Sequence, residues 1–297
     1  GHYDRILKIF FYHILMQEIL FNLNNIRLEI SFKSYDELRK LLNFYDRKNL
    51  YKINIPCKNG LKKDFLLNSI KISKEEFPQL DVIPHFSILH EFRRNRINTQ
   101  ESFVKFLQVV KSLGCMEVLL VSGSQKRSTL DSVSSLSYLK NSTLYDSDDF
   151  SIGVAFNPYL PSLLFKEEIV RLRMKLQSGL VKSVWIQFGT DYLLLKSRIK
   201  ILNNLIDNTI KNNSKISNIM LFGSILIPSK QFLARFKYRP WKEVYCCKEF
   251  LDSVEFANNR VTKIFATYKQ NNIHPVIETG VYTDDHLKKL EEIFSIK

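Results

Sequence analysis

Glu29 stands between Leu28 and Ile30, a carboxylate inside an otherwise apolar, strand-like run. A carboxyl group buried in such surroundings resists ionisation, and a raised pKa suits a general acid near neutral pH. On the opposite face of a pleated strand the same glutamate would pair with Arg27 or a lysine among the surrounding helices. His85 follows Pro84 at the end of a second apolar run, where an imidazole can meet a ligand, cap a helix or be satisfied within a core. Gln187 ends the run from Ser183, and a buried amide there needs hydrogen-bond partners from backbone or ligand. Lys175 lies four residues before Gly179 on a helical pattern, either solvated or in contact with an anion. Ser87, Ser122-Gly123-Ser124, Asn157-Pro-Tyr159 and Thr190-Asp191 add further polar groups at the ends of apolar runs.

These groups share a position in a repeated unit. In Val118-Leu-Leu-Val-Ser-Gly-Ser124 an apolar run meets a turn of small residues, and a helical pattern follows from about Thr129. Such a run reads as a strand buried on both faces, and small residues at its end let a ligand approach the backbone. The unit recurs. Strands are expected at Ile26–Phe32, Tyr51–Ile55, Asp81–Ser87, Val118 onward, Phe150–Phe156, Ser183–Phe188, Asn218–Phe222 and Pro275–Thr279. Helices are expected at Tyr35–Asp46, after Asn59-Gly60, at Thr99–Leu113, up to Lys140, up to Ser178-Gly179, and at Leu193–Lys211. A longer helical region, Lys230–Lys269, is broken near Pro240, and a final helix runs from Asp284 to about Ile296. Eight strand–helix units without a composition break predict one closed (β/α)8 barrel over residues 25–297, with an extra N-terminal helix in residues 1–24. An open doubly wound sheet is the alternative. A barrel gathers its chemistry at the C-terminal ends of its strands. No GxGxxG follows a strand and no GxxxxGK[ST] occurs, which argues against a Rossmann dinucleotide site or a phosphate loop.

Composition narrows the classes further. The chain has 297 residues, 45% of them hydrophobic, which is enough to bury a large core. Its net charge is +14, but the basic residues are scattered. The densest clusters, Arg93-Arg94-Asn95-Arg96, Lys62-Lys63 and Gln125-Lys126-Arg127, are short and sit in loop-like contexts. A solvated basic surface is therefore expected, and no nucleic-acid partner. Cys57, Cys115, Cys246 and Cys247 show neither CxxC nor Cys/His spacing, which reads as buried thiols in a reducing compartment with no metal. The apolar stretch Ile6–Phe21 is interrupted by Lys8, His13, Gln17 and Glu18 and falls short of the roughly 18 residues of a membrane span, so an amphipathic helix is expected.

Taken together, six segments resemble the methylenetetrahydrofolate reductase family, a flavin-containing (β/α)8 barrel. Leu28-Glu-Ile-Ser-Phe32 is similar to the family's first-strand motif, which implies Glu29 as catalytic acid. Pro84-His-Phe-Ser87 is similar to Pro-His-Leu-Thr, which implies flavin contacts at His85 and Ser87. Ile152-Gly-Val-Ala-Phe156 with Pro158 resembles the fifth-strand motif and puts Phe156 beside the cofactor. Arg173-Met-Lys-Leu-Gln-Ser-Gly179 resembles the Lys-x-x-x-Gly step and puts Lys175 at the flavin phosphates. Ile186-Gln-Phe-Gly-Thr-Asp191 implies that Gln187 contacts folate, and Pro228-Ser-Lys-Gln-Phe232 implies that Phe232 stacks on folate or nicotinamide. The turn Ser122-Gly123 falls where the family has Arg-Gly-Asp, and Lys33-Ser34 replaces a pair of prolines.

The resemblance implies an oxidoreductase of one-carbon metabolism. It would reduce 5,10-methylenetetrahydrofolate to 5-methyltetrahydrofolate with hydride from FAD and NAD(P)H, as a cytoplasmic protein. The replaced cofactor positions motivate the alternative, a catalytically degenerate barrel serving as a structural or binding subunit of a larger mitochondrial complex. A homo-oligomer or larger assembly fits either reading.

Overall fold

The computed structural model describes residues 5–8, 10–12, 23–57, 62–122, 131–143, 145 and 150–294. Eight parallel strands close into a barrel in sequence order: β1 (Arg27–Glu29), β2 (Lys52–Ile55), β3 (Asp81–Ser87), β4 (Glu117–Val121), β5 (Ser151–Phe156), β6 (Val181–Ile186), β7 (Met220–Ile225) and β8 (Ile273–Ile277). The ring is sealed where β1 pairs with both β2 and β8. The fold is a (β/α)8 barrel. Residues 5–8 and 10–12 are helical and precede it.

The outer layer comprises α1 (Tyr35–Arg47), α2 (Lys63–Glu76), α3 (Ile88–Arg94), α4 (Thr99–Ser112), α5 (Ser132–Lys140), α6 (Ser162–Gln177), α7 (Tyr192–Asn212), α8 (Lys230–Tyr238), α9 (Lys248–Asp252), α10 (Val254–Gln270) and α11 (Asp284–Phe294). In α1 the spacing of Leu38, Leu41, Leu42 and Tyr45 puts all four on the buried face. Removing such a side chain from water contributes about 1.5–3 kcal/mol. Ser34 caps the first turn by accepting from the Glu37 N–H, and Glu37 reaches back to the Lys33 N–H. Gly114 and Gly179, at φ +95° and +74°, close the chain after α4 and α6 in a conformation that favours glycine.

Two expectations are corrected here. Arg93 and Arg94 do not lie in a loop but form the last turn of α3, a helix that no expected element covers. Lys62 precedes α2 without a side-chain cap, and Lys63 opens it. The stretch after β7 divides into α8, α9 and α10, the first ending before Pro240. None of the four cysteines is disulfide-bonded, and only Cys115 is fully buried. Among the described residues no helix is long and apolar enough to cross a membrane, and no His/Cys/Asp/Glu cluster could hold a metal.

The lumen of the barrel is plugged. Ile83, Leu119, Trp185, Phe222 and Val276 form an apolar cluster of their own inside it. Trp185 and Phe222 stack at 4.0 Å with planes 12° apart. A Cβ on Gly153 would run into Trp185 and Ser183, so the small residue of β5 makes room for the indole. Beneath the stack the Trp185 indole donates to Ser183 Oγ (2.9 Å), which donates to Glu117 Oε1 (2.5 Å). Burial raises the pKa of Glu117 despite that bond. His274 packs beside Phe222, and burial, reinforced by Lys52 and Arg27, pushes it down to about 4. With the lumen filled, a ligand is confined to the mouth.

Candidate functional site at the barrel mouth

Alternation along each strand settles which side chains face inward. On β1, Arg27 reaches into the lumen, with its guanidinium 5.9 Å from the Phe222 ring and ion-paired to Asp81. Glu29 is two residues on and shares that face, half-buried at the strand's end. Arg27 also donates to the Ile53 carbonyl (3.0 Å) and to Asn54 Oδ1 (3.4 Å). The Asn54 amide nitrogen lies 2.9 Å from His85 Nε2. With Asn54 Oδ1 accepting from Arg27, its NH2 is the donor, so Nε2 accepts and the neutral ring carries its proton on Nδ1. A polar chain Asp81–Arg27–Asn54–His85 thus runs from the floor of the barrel to its mouth. It fixes His85, which is 8% exposed.

Over β3–β5 the described groups at the strand ends hold the chain itself. Ser87 Oγ accepts from the His90 N–H and caps α3. Ser122 Oγ accepts from the Ser132 N–H (2.9 Å) and holds the start of α5. Phe156 is fully buried and packs on Phe165 of α6 at 6.0 Å, on the helical side of β5. This corrects the expectation that Phe156 lies beside a cofactor: its place in the strand's alternation points it into the core. Lys175 is not solvated. It is 6% exposed between α5 and α6, and burial lowers its pKa, with Glu168 opposing that shift. Gly123 lies outside the described residues.

The β5 and β6 turns are equally committed. Asn157 accepts from the Tyr159 N–H and donates to the Glu243 carbonyl, while Arg198 donates to the carbonyls of Pro158 and Leu160. Thr190 accepts from the Cys247 N–H, and Asp191 caps α7. Of the flavin contacts implied by the resemblance, Ser87 and Ser122 accept backbone N–H groups at helix starts, and Phe156 packs in the core.

Over β7 and β8 the mouth is open. A cavity of about 690 Å³ lies between α8 and α11, with Phe232, Phe236, Trp241, Glu278 and Tyr282 in its walls. The volume falls within the range of ligand sites. Phe232 sits edge-on to Trp241 at 5.6 Å. Ser229 caps α8 through the Phe232 N–H, and Thr279 Oγ1 accepts from the Ile227 N–H, which ties the two loops that frame the cavity. A Cβ on Gly280 would collide with the Tyr282 ring, so glycine lets that ring fold back over the strand end. Tyr282 N–H donates to His286 Nδ1 (3.0 Å), leaving the ring proton on Nε2.

Glu278 and Glu29 are neighbours across the barrel seam, each one residue beyond the last paired positions, Leu28 and Ile277. The arc continues on β7 and β6. Ser224 is buried on the inner face with a hydroxyl that has no hydrogen-bond partner among the described residues. Gln187 follows Ser183 and Trp185 in the alternation of β6, half-buried, its N–H donating to the Phe156 carbonyl.

No family model and no curated protein sequence matches the chain. Among solved structures it is similar to a protein of Aquifex aeolicus VF5, at 10% identity over 82% of this chain and 92% of that one, with a TM-score of 0.44. It is similar to a native KDPGal structure, at 9% identity over 82% and 94%, with a TM-score of 0.37. A protein provisionally assigned as 2,5-diketo-D-gluconic acid reductase B matches at 11% identity over 92% and 84%, with a TM-score of 0.47. At such identities and scores these likenesses carry no argument about activity, and the barrel is assigned on its own strand order.

Glu278, Ser224, Trp241 and Tyr282 did not emerge from the sequence as site residues. Glu278 and Ser224 lie in apolar runs, where alternation marks a residue only once the inner face is known. Trp241 and Tyr282 stand in loops, outside any periodic pattern.

Proposed function

We propose that the chain is a folate-converting oxidoreductase that works on the β6–β7–β8–β1 side of its mouth. The observation that supports this reading is the cavity over β7 and β8, whose Glu278 follows the strand pairing that sets it beside Glu29. Phe232 walls a ligand-sized cavity, and the Glu278 of that cavity adjoins Glu29 across the seam. The substrate is 5,10-methylenetetrahydrofolate. Phe232 stacks on its flat ring system, Gln187 offers its amide to the pterin, and Glu29 delivers a proton to the bridge nitrogen. The carbon–nitrogen bond of the bridge opens to an iminium, and hydride from NAD(P)H reduces the methylene carbon to methyl. Glu29, left as a carboxylate, regains its proton from solvent. The plugged lumen keeps the chemistry at the rim, and the Arg27–Asn54–His85 chain fixes the polar wall opposite the cavity. The test is NAD(P)H oxidation by the full chain with 5,10-methylenetetrahydrofolate, with and without added FAD. Turnover that Glu29→Gln abolishes while tetrahydrofolate still binds supports the reading; full turnover in that variant removes Glu29 from the mechanism.

A second reading is favoured by the described residues of the β3–β5 side. There Ser87, Ser122 and Phe156 hold the fold together, as expected of a barrel kept as a structural or binding subunit. A chain that binds neither folate nor nicotinamide and turns over neither decides for it.

A further inference from the structure

On the outer layer, α7 and α10 pack side by side and bring three cations to one ring. Tyr192 and Lys196 stand four residues apart on α7, and Phe256, Arg260 and Lys263 recur at spacings of four and three on α10, so each set shares a helix face. The Lys196 ammonium lies 5.5 Å from the centre of the Tyr192 ring, and the Arg260 guanidinium and Lys263 ammonium each lie 5.1 Å from it. Arg260 is also 5.0 Å from the centre of the Phe256 ring, so two rings hold its guanidinium in place. Lys196 and Lys263 are exposed, and Tyr192, Phe256 and Arg260 are half-buried. None of the three cations forms an ion pair with a described residue. The carboxylates close to them in the chain are placed otherwise. Asp191 accepts from the Leu194 N–H at the start of its own helix (3.0 Å), and Glu255 stands about 100° round α10 from Phe256. Three like charges gathered at one ring repel one another, and the ring offsets that only in part.

We propose that this cluster is a binding site for the diphosphate moiety of a small ligand, independent of the folate reading above. Two linked phosphoryl groups bring about two to three negative charges at neutral pH, which matches the three cations. A guanidinium resting on two rings keeps its N–H edge free to meet phosphate oxygens in a bidentate manner, and the two ammonium groups add point charges beside it. An anion with a single charged group cannot engage all three. None of the five residues lines the cavity over β7 and β8, so the ligand sits on the helical layer and leaves that cavity open.

The experiment is acetylation footprinting of the lysines of the full chain, read by peptide mass spectrometry, with pyrophosphate, ADP or sulfate at equal ionic strength. Pyrophosphate is expected to slow the labelling of Lys196 and Lys263 and to leave the exposed Lys105 and Lys288 unchanged. Sulfate should protect neither pair. In calorimetry the Lys196→Ala/Lys263→Ala variant should bind pyrophosphate about tenfold more weakly, roughly threefold for each exposed charge removed. Arg260→Lys, which keeps the charge but loses the bidentate edge, should weaken binding less than Arg260→Ala does. Unchanged thermal unfolding without ligand verifies the fold of each variant. Equal affinity for pyrophosphate and ADP shows that the diphosphate suffices, and tighter binding of ADP identifies a nucleotide as the ligand. Slowing spread evenly over the exposed lysines, slowing by sulfate as strong as by pyrophosphate, or an affinity that the variants leave unchanged overturns the proposal.

Discussion

The two sides of the barrel mouth solve opposite problems with similar residues. Over β3–β5 the described polar groups at the strand ends are spent on the chain itself: Ser87 caps α3, Ser122 anchors α5 and Asn157 braces its own turn. Over β7 and β8 the caps are supplied from within the loops by Ser229 and Thr279, which frees Phe232, Trp241, Glu278 and Tyr282 to line a cavity. A serine after a strand thus carries no functional meaning until its hydrogen-bond partner is known. An open concavity depends on which loop groups satisfy the backbone in its place.

The largest effect that would sharpen this contrast is on turnover. Glu29→Gln keeps the shape of the side chain but cannot deliver a proton, so the rate should fall by about 10²–10⁴-fold. Steady-state kinetics beside a folate titration separates this loss from a loss of binding. On the β3–β5 side the effect should be on stability instead. Phe156→Ala removes a fully buried ring against Phe165 and should cost about 3–5 kcal/mol in denaturant unfolding. Tetrahydrofolate affinity should stay unchanged in that variant, and a selective loss of affinity would break the distinction between the sides.

Beneath both sides, His274 makes the barrel floor sensitive to acid. Its pKa is pushed down to about 4 by burial and by the Lys52 and Arg27 charges, so the unfolded chain takes up the proton first as pH falls. The stabilisation present above the unfolded pKa of about 6.5 is then lost between about pH 6.5 and 4, up to roughly 3 kcal/mol. His274→Phe should flatten that slope in unfolding titrations, without distinguishing one side of the mouth from the other. The smallest effect belongs to a cap: Ser87→Ala should lower stability by about 1 kcal/mol and leave ligand binding intact.

Much of the fold was legible because its signals are local. The run Asp81–Ser87 coincides with β3 from end to end, and Leu38, Leu41, Leu42 and Tyr45 mark the buried face of α1 through spacing alone. α3 escaped because Ile88–Arg94 is a single short stretch following a strand, with its basic residues concentrated in its last turn. The site was only partly legible, for a different reason. Glu29 stands out as a charge in an apolar run, yet its face depends on pairing with strands far away in the chain. Phe156 shows the limit: one position along β5 separates the lumen from the helical layer, and a strand apolar on both faces leaves the two indistinguishable. Lys175 looked like an ordinary helical lysine, because Asp131 approaches it only through the packing of α5 and α6.

The division of the mouth is tested most directly by amide hydrogen exchange of the full chain with and without saturating tetrahydrofolate. The expected result is added protection across residues 226–241 and 277–289, with residues 81–94 and 117–122 unchanged. Protection confined to those β3 and β4 segments, with the β7–β8 loops unaffected, would contradict it.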